Sequence, residues 1–154
     1  MVICINQALN DTTNAGFDSA AKIKAGIRNF YKSVFGGEFL AFMRFGEMEG
    51  CGEIAETDKS KIAHIALPVG DGNILMGTDS LESFGQKLTF GNNFYVCISP
   101  DSREEADRLF GSLSDGGKAE MPMTDMSWGY FGCFADKFGA QWMIVFDPNG
   151  GGSK

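Results

Sequence analysis

Apolar residues recur at spacings of three and four between residues 19 and 35. Ile23, Ile27, Phe30, Tyr31 and Val34 fall on one face of a 3.6-residue period, with Asp18 or Ser19 placed to cap it. The pattern predicts an amphipathic helix over 19–35. Gly36-Gly37 stops it, because glycine tolerates the left-handed backbone that ends a helix. The run EFLAFMRF at 38–45 then predicts a largely buried strand. Further along, the same order returns. Ser102-Arg-Glu-Glu105 is a capping box, Ala106, Leu109, Phe110 and Leu113 form the apolar stripe, Gly116-Gly117 is the stop, and a strand begins at 118–123. Eighty residues separate Gly36 from Gly116 and also Phe30 from Phe110, so helix, face and stop repeat in one register.

Each helix is preceded by a short apolar strand, over 2–9 and over 93–98. Each is followed, after its first strand, by a hairpin. The first hairpin joins 61–69 to 74–78 through Gly70-Asp-Gly-Asn73, and the second joins 130–135 to 141–146 through Asp136-Lys-Phe-Gly139. Asp-Gly and Gly-Asn accept positive φ and are hairpin chemistry. The order β-α-β-β-β in each half predicts a single α+β domain over 1–154, with module one over about 1–79, a connector over 80–92 and module two over 93–147. The stretch 46–60 reads as an acidic, glycine-rich loop in which Glu47, Glu49, Glu53 and Glu56 are solvated, and 147–154 reads as a flexible tail.

Composition narrows the chemistry. With 44% hydrophobic and 21% charged residues the chain has globular composition. A net charge of −7 with 13 scattered Lys and Arg argues against a nucleic-acid partner, which needs a clustered basic surface. No apolar run approaches the length of a membrane span, and the N-terminus lacks the basic and apolar regions of a signal peptide, so the expected location is cytoplasmic. Cys4, Cys51, Cys97 and Cys133 are widely separated, without a CxxC pair. They read as reduced structural thiols rather than as a zinc site or disulfide framework.

Four motifs in order, Asn29-Phe-Tyr-Lys-Ser-Val-Phe-Gly-Gly-Glu38, Lys61-Ile-Ala-His-Ile-Ala-Leu67, Asn73-Ile-Leu-Met-Gly77 and Asp136-Lys-Phe-Gly-Ala-Gln-Trp-Met-Ile144, resemble the PhnB-like branch of the vicinal oxygen chelate superfamily. That superfamily includes glyoxalase I, extradiol dioxygenases and bleomycin-resistance proteins. The likeness covers about residues 29–146 and departs at 10–18, where the segment NDTTNAGFD is longer than the family's short turn. The resemblance implies two tandem βαβββ modules forming a curved mixed sheet around a cavity, a small-molecule ligand and a homodimer.

In the superfamily's enzymes four inward His and Glu side chains, from the first and last strand of each module, hold a divalent ion. Aligned on their Gly-Asn-x-x-Glu pattern, Gly139-Ala-Gln-Trp-Met143 puts Met143 in a ligand place, and Gly72-Asn-Ile-Leu-Met76 does the same with Met76. Asn93 or Phe94 stands where module two should offer His, and Gln7 is module one's candidate. A thioether suits the hard divalent ions of this chemistry poorly. The expectation is no resident metal of the usual kind and no cofactor, a divalent ion at some other site not being excluded.

His64, the chain's one histidine, remains for chemistry. Alternation along 62–69 sets Ala63, Ile65, Leu67 and Val69 on a face beneath the helices and His64 on the other, where a neutral imidazole can exchange a proton with a ligand. The plainer alternative is a histidine satisfied by a neighbouring polar group. Trp128, Tyr130 and Trp142 are candidates for an aromatic pocket wall beside Met76 and Met143, with Tyr130 close to the place His64 holds in the first half. Ordinary core packing is the competing role, above all for Trp142. Two functions stay open: a metal-independent binder of a small, partly apolar molecule, and a glyoxalase-type lyase, isomerase or dioxygenase using His64. The methyltransferase label sometimes attached to PhnB-like proteins has little support, since no glycine-rich strand-to-helix loop opens the chain.

Overall fold

A computed structural model of the chain describes residues 2–6, 26, 28–50, 52–70, 72–85 and 91–149. The helix start at Asp18 or Ser19, Ile23, Ile27, Gln7, the segment 10–18, Cys51 and residues 150–154 lie outside the described residues. The chain divides into two compact units, Met1–Thr89 and Phe90–Lys154. No helix among the described residues is long and apolar enough to cross a membrane.

The first unit holds β1 (Val2–Asn6), a helical segment α1 over 28–35, β2 (Ala41–Arg44), the one-turn α2 (Glu56–Lys59), β3 (Ile62–Pro68) and β4 (Ile74–Thr78). Its sheet runs β1-β4-β3-β2, with β1 parallel to β4 and the other pairs antiparallel. The second unit holds β5 (Val96–Ile98), α3 (Arg103–Ser114), β6 (Lys118–Met126), β7 (Gly129–Ala135) and β8 (Gln141–Phe146). Its sheet has the same order, β5-β8-β7-β6, with β5 parallel to β8. The repeat in the sequence is thus a repeat in topology, each module forming its own four-stranded mixed sheet.

The helix stops behave as their glycines dictate, Gly36 and Gly116 both having φ near +73°. At the start of α3 the capping box is half made. Ser102 Oγ accepts from Glu105 N at 3.1 Å, but the Glu105 carboxylate turns forward to Arg108 at 2.7 Å. Ala106, Leu109 and Leu113 are buried on the face toward the sheet, where Phe110 meets Phe134 edge-on at 5.0 Å. Gly132 permits that closeness: a Cβ there would lie 2.7 Å from Met123 Sδ and 2.9 Å from Phe110 Cε2.

Two expected segments are shorter than their apolar runs. The strand predicted over 38–45 narrows to Ala41–Arg44, and that over 93–98 to Val96–Ile98. The expected acidic loop at 46–60 is partly built. Its four glutamates are exposed, but Asp58 is buried, paired with Lys61 Nζ at 2.6 Å and accepting from Ser83 Oγ. Asp58 thus ties this loop to the start of β3 and the turn after β4, while Asp79 Oδ2 takes the Ile62 N–H at 2.8 Å and joins the end of β4 to the start of β3.

The β7–β8 turn is organised by Asp136, buried at the end of β7. Its Oδ1 accepts from Phe138 N and Ala140 N at 2.9 and 3.0 Å, and its Oδ2 from Trp142 Nε1 at 2.9 Å. Asp136→Ala would leave the indole N–H of a buried Trp142 unpaired and free two turn amides. The expected loss is about 3 kcal/mol in urea denaturation, against about 1 kcal/mol for Trp142→Phe, which removes one bond and keeps the ring.

Candidate functional site

Pairing fixes which side chains share a face, since residues directly opposite in neighbouring strands project to the same side. In the first sheet Phe42 lies opposite Ile65 and Leu67 opposite Leu75. Arg28 of α1 sits over the Phe42 ring at 5.4 Å, which identifies this as the α1 face. His64 is on the other side, half-buried and opposite Met43 of the edge strand β2, with Ala66 and Met76 paired on the same side. No described group hydrogen-bonds the His64 ring.

In the second sheet Gly132, Phe134, Trp142, Ile144 and Val96 form the α3 face. Trp142, only 1% exposed and bound to Asp136, therefore belongs to the core and lies on the opposite side from Met143. Tyr130 is also on the α3 side. Its hydroxyl donates to Asp107 at 2.7 Å, which pushes the phenol pKa up, and Arg103 stacks 3.7 Å from its ring while binding Asp125 through both nitrogens. The expectation that Tyr130 takes His64's place is corrected by one residue. Turn glycines Gly72 and Gly139 are 67 apart, and that offset carries His64 to Phe131. A slip of one reverses the face.

The helix-free side of the second sheet is built from residues that sequence reasoning left out as well as two that it named. Phe131 lies opposite Val145, and its ring meets Trp128, 55% exposed, at a centroid distance of 5.3 Å. Cys133 is opposite Met143, and Met143 opposite Cys97. At its margin Tyr95 donates its hydroxyl to Glu120 Oε2, the atom 4.0 Å from Cys133 Sγ. That hydrogen bond pushes the Tyr95 phenol up to about 12. Burial, then the Glu120 charge, pushes the Cys133 thiol up, and burial does the same for Cys97. The glycine offset would have found Phe131, but no sequence signal marks Glu120, which reaches this side through irregular pairing between Ala119 and Met121.

The pairing also corrects the ligand place assigned to module two's first strand. Asn93 and Phe94 precede β5, and the residue beside Met143 is Cys97. The donors flanking Met143 are thiols and Glu120 adds a single carboxylate at the margin, so the residues described here do not make the oxygen and nitrogen set that a hard divalent ion takes. Among the described residues no three His, Cys, Asp or Glu side chains come together as a metal group.

No family model matches the chain, and no curated protein does. Solved structures do. The protein PA1353 from Pseudomonas aeruginosa is 28% identical, with 96% of each chain covered and a TM-score of 0.74. A putative 3-demethylubiquinone-9 3-methyltransferase, PhnB protein, from Bacillus cereus is 22% identical over 95% of this chain and 98% of its own, TM-score 0.63. A glyoxalase/bleomycin resistance protein from Albidiferax ferrireducens is 16% identical over 96% and 97%, TM-score 0.57. With its two βαβββ modules of one strand order, the chain has the glyoxalase/bleomycin-resistance-like fold of these neighbours, in keeping with the resemblance its motifs carry to the PhnB-like branch.

Proposed function

We propose that this protein binds a small, partly apolar molecule on the helix-free side of its sheet, without the divalent ion of the superfamily's enzymes. The observation that carries the reading is the surface around Phe131. An aromatic pair, Trp128 and Phe131, adjoins Val145 and Met143, and the Tyr95–Glu120 pair supplies a polar margin. Apolar lining with a few convergent polar groups is what small ligands select. The alternative, catalysis by His64, draws on its half-buried place, but its partner on β2 is the apolar Met43, and no described acid or base stands with it. The methyltransferase label of the Bacillus neighbour adds nothing, because a likeness at 22% identity carries fold alone. The reading extends to a homodimer, supported by exposed Leu40, Phe42 and Met43 at the edge of the first sheet.

Titration with 8-anilinonaphthalene-1-sulfonate, an apolar probe with one charge, tests the surface. Trp128→Ala with Phe131→Ala should weaken binding at least about tenfold at unchanged melting temperature. Equal binding by the variant would sink the proposal. For His64, we expect no turnover of α-keto hemithioacetals or catechols with added Zn²⁺, Ni²⁺, Mn²⁺ or Fe²⁺. Turnover that His64→Ala abolishes would put the enzymatic reading in its place.

The Tyr95–Glu120 pair gives a pH signature. A raised folded-state pKa means the pair's stabilisation is intact below the unfolded value near 10 and is lost as pH rises toward about 12. The phenolate absorbance of Tyr95 should rise with a midpoint near 12, and Glu120→Gln should bring it back toward 10. A midpoint unmoved by that substitution would show that the hydrogen bond does not form in solution.

A further inference from the structure

The strand registers align four sulfur-bearing residues in one row across the second sheet. Cys97 on β5 lies opposite Met143 on β8, Met143 opposite Cys133 on β7, and Cys133 opposite Met121 on β6. All four therefore project from the side away from α3, thiol alternating with thioether. Core packing does not call for them: Met121 is 36% exposed, Cys97 is exposed, and Cys133 and Met143 are half-buried. Apolar burial alone would be served as well by Leu or Val.

Spacing decides what the row can do. The two thiols stand two strands apart, about 9–10 Å, beyond the reach of a disulfide. Directly opposite residues have Cβ atoms only about 4.5–5.5 Å apart, and a methionine extends its sulfur well past Cβ. Met143 and Met121 can thus converge from both sides on the thiol between them.

We propose that Met143, Cys133 and Met121 form a three-sulfur site for a soft monovalent cation, copper(I) in the cell, with Cys97 a fourth sulfur at the end of the same row. Thiolate with thioethers is a soft donor set, suited to such ions and not to Mg²⁺ or Ca²⁺. Binding changes no oxidation state: the Cys133 S–H bond breaks, a sulfur–metal bond forms, and the proton leaves. Glu120 Oε2, 4.0 Å from Cys133 Sγ, is the group positioned to take that proton and pass it to water. The site is distinct in ligand and readout from the binding of an apolar molecule proposed above.

Anaerobic titration of the reduced full-length protein with Ag⁺, a redox-inert probe, followed by Cu⁺ in competition with bicinchoninate, tests it. The wild type should show a tight first equivalent. Met121→Leu with Met143→Leu should weaken it at least about tenfold with every thiol in place. Cys133→Ser should remove it, and Cys51→Ser should leave it intact. If the double methionine variant binds as the wild type does, the metal is held by thiols alone and the site is overturned, as it also is if Cys133→Ser retains the first equivalent. Should Cys133→Ser fail to fold, the methionine variant decides alone, its two positions being at most half-buried.

Discussion

Three hydrogen bonds to one buried carboxylate, from Phe138 N, Ala140 N and Trp142 Nε1 to Asp136, fix the alignment of β7 with β8. Every assignment of a side chain to a face of the second sheet depends on that alignment. With it, Phe134 and Trp142 pair beneath α3 while Cys133 and Met143 pair on the other side. A register shift of one residue would exchange the two sets, exposing an indole and burying the sulfur row. Unlike the apolar contacts, which several neighbouring registers satisfy in part, the indole N–H reaches a carboxylate in one register only. This is how a polar group at the foot of a hairpin specifies what a greasy surface leaves degenerate.

Duplication preserves the scaffold and frees the surface. Both modules keep the strand order, the glycine stop near φ +73° and a Met on the last strand, Met76 or Met143. They diverge at the position two residues before the Ala66 or Cys133 that pairs with that Met, where one carries His64 and the other Phe131. Since the helix-facing residues do the folding, the opposite face can vary in polarity with little cost to stability. Function is free to differ between the modules for the same reason.

Most of the architecture was legible in the sequence because it rests on period and punctuation. The stripe at Ala106, Leu109 and Leu113, the stops at Gly36 and Gly116 and the hairpin ending in Gln141–Phe146 each express a local rule that tertiary contacts reinforce. The candidate site was legible only in part. Met143 follows from a motif, but Tyr130 failed because strand parity forgives no error of one. Trp142 took the core-packing role that the sequence had left open beside the pocket wall, because its indole N–H has a buried acceptor in Asp136. Cys97 and Glu120 were out of reach: one needs the parallel register of a three-residue strand, the other irregular pairing in β6, and neither is encoded within a local window.

The chemistry of this face follows from which donors the register sets together. Hard divalent ions require oxygen or imidazole nitrogen, and here the positions flanking β8 carry sulfur. Sulfur is polarisable and weakly hydrated, so it can line an apolar surface at little desolvation cost, as a carboxylate cannot. The apolar molecule and the soft cation proposed for the face made of Phe131, Val145, Met143 and Cys133 thus call on the same property of its side chains. On the reading proposed above, exchanging carboxylate and imidazole for thioether and thiol on this fold would move its preference from oxygen-rich substrates held through a metal toward ligands that leave water readily.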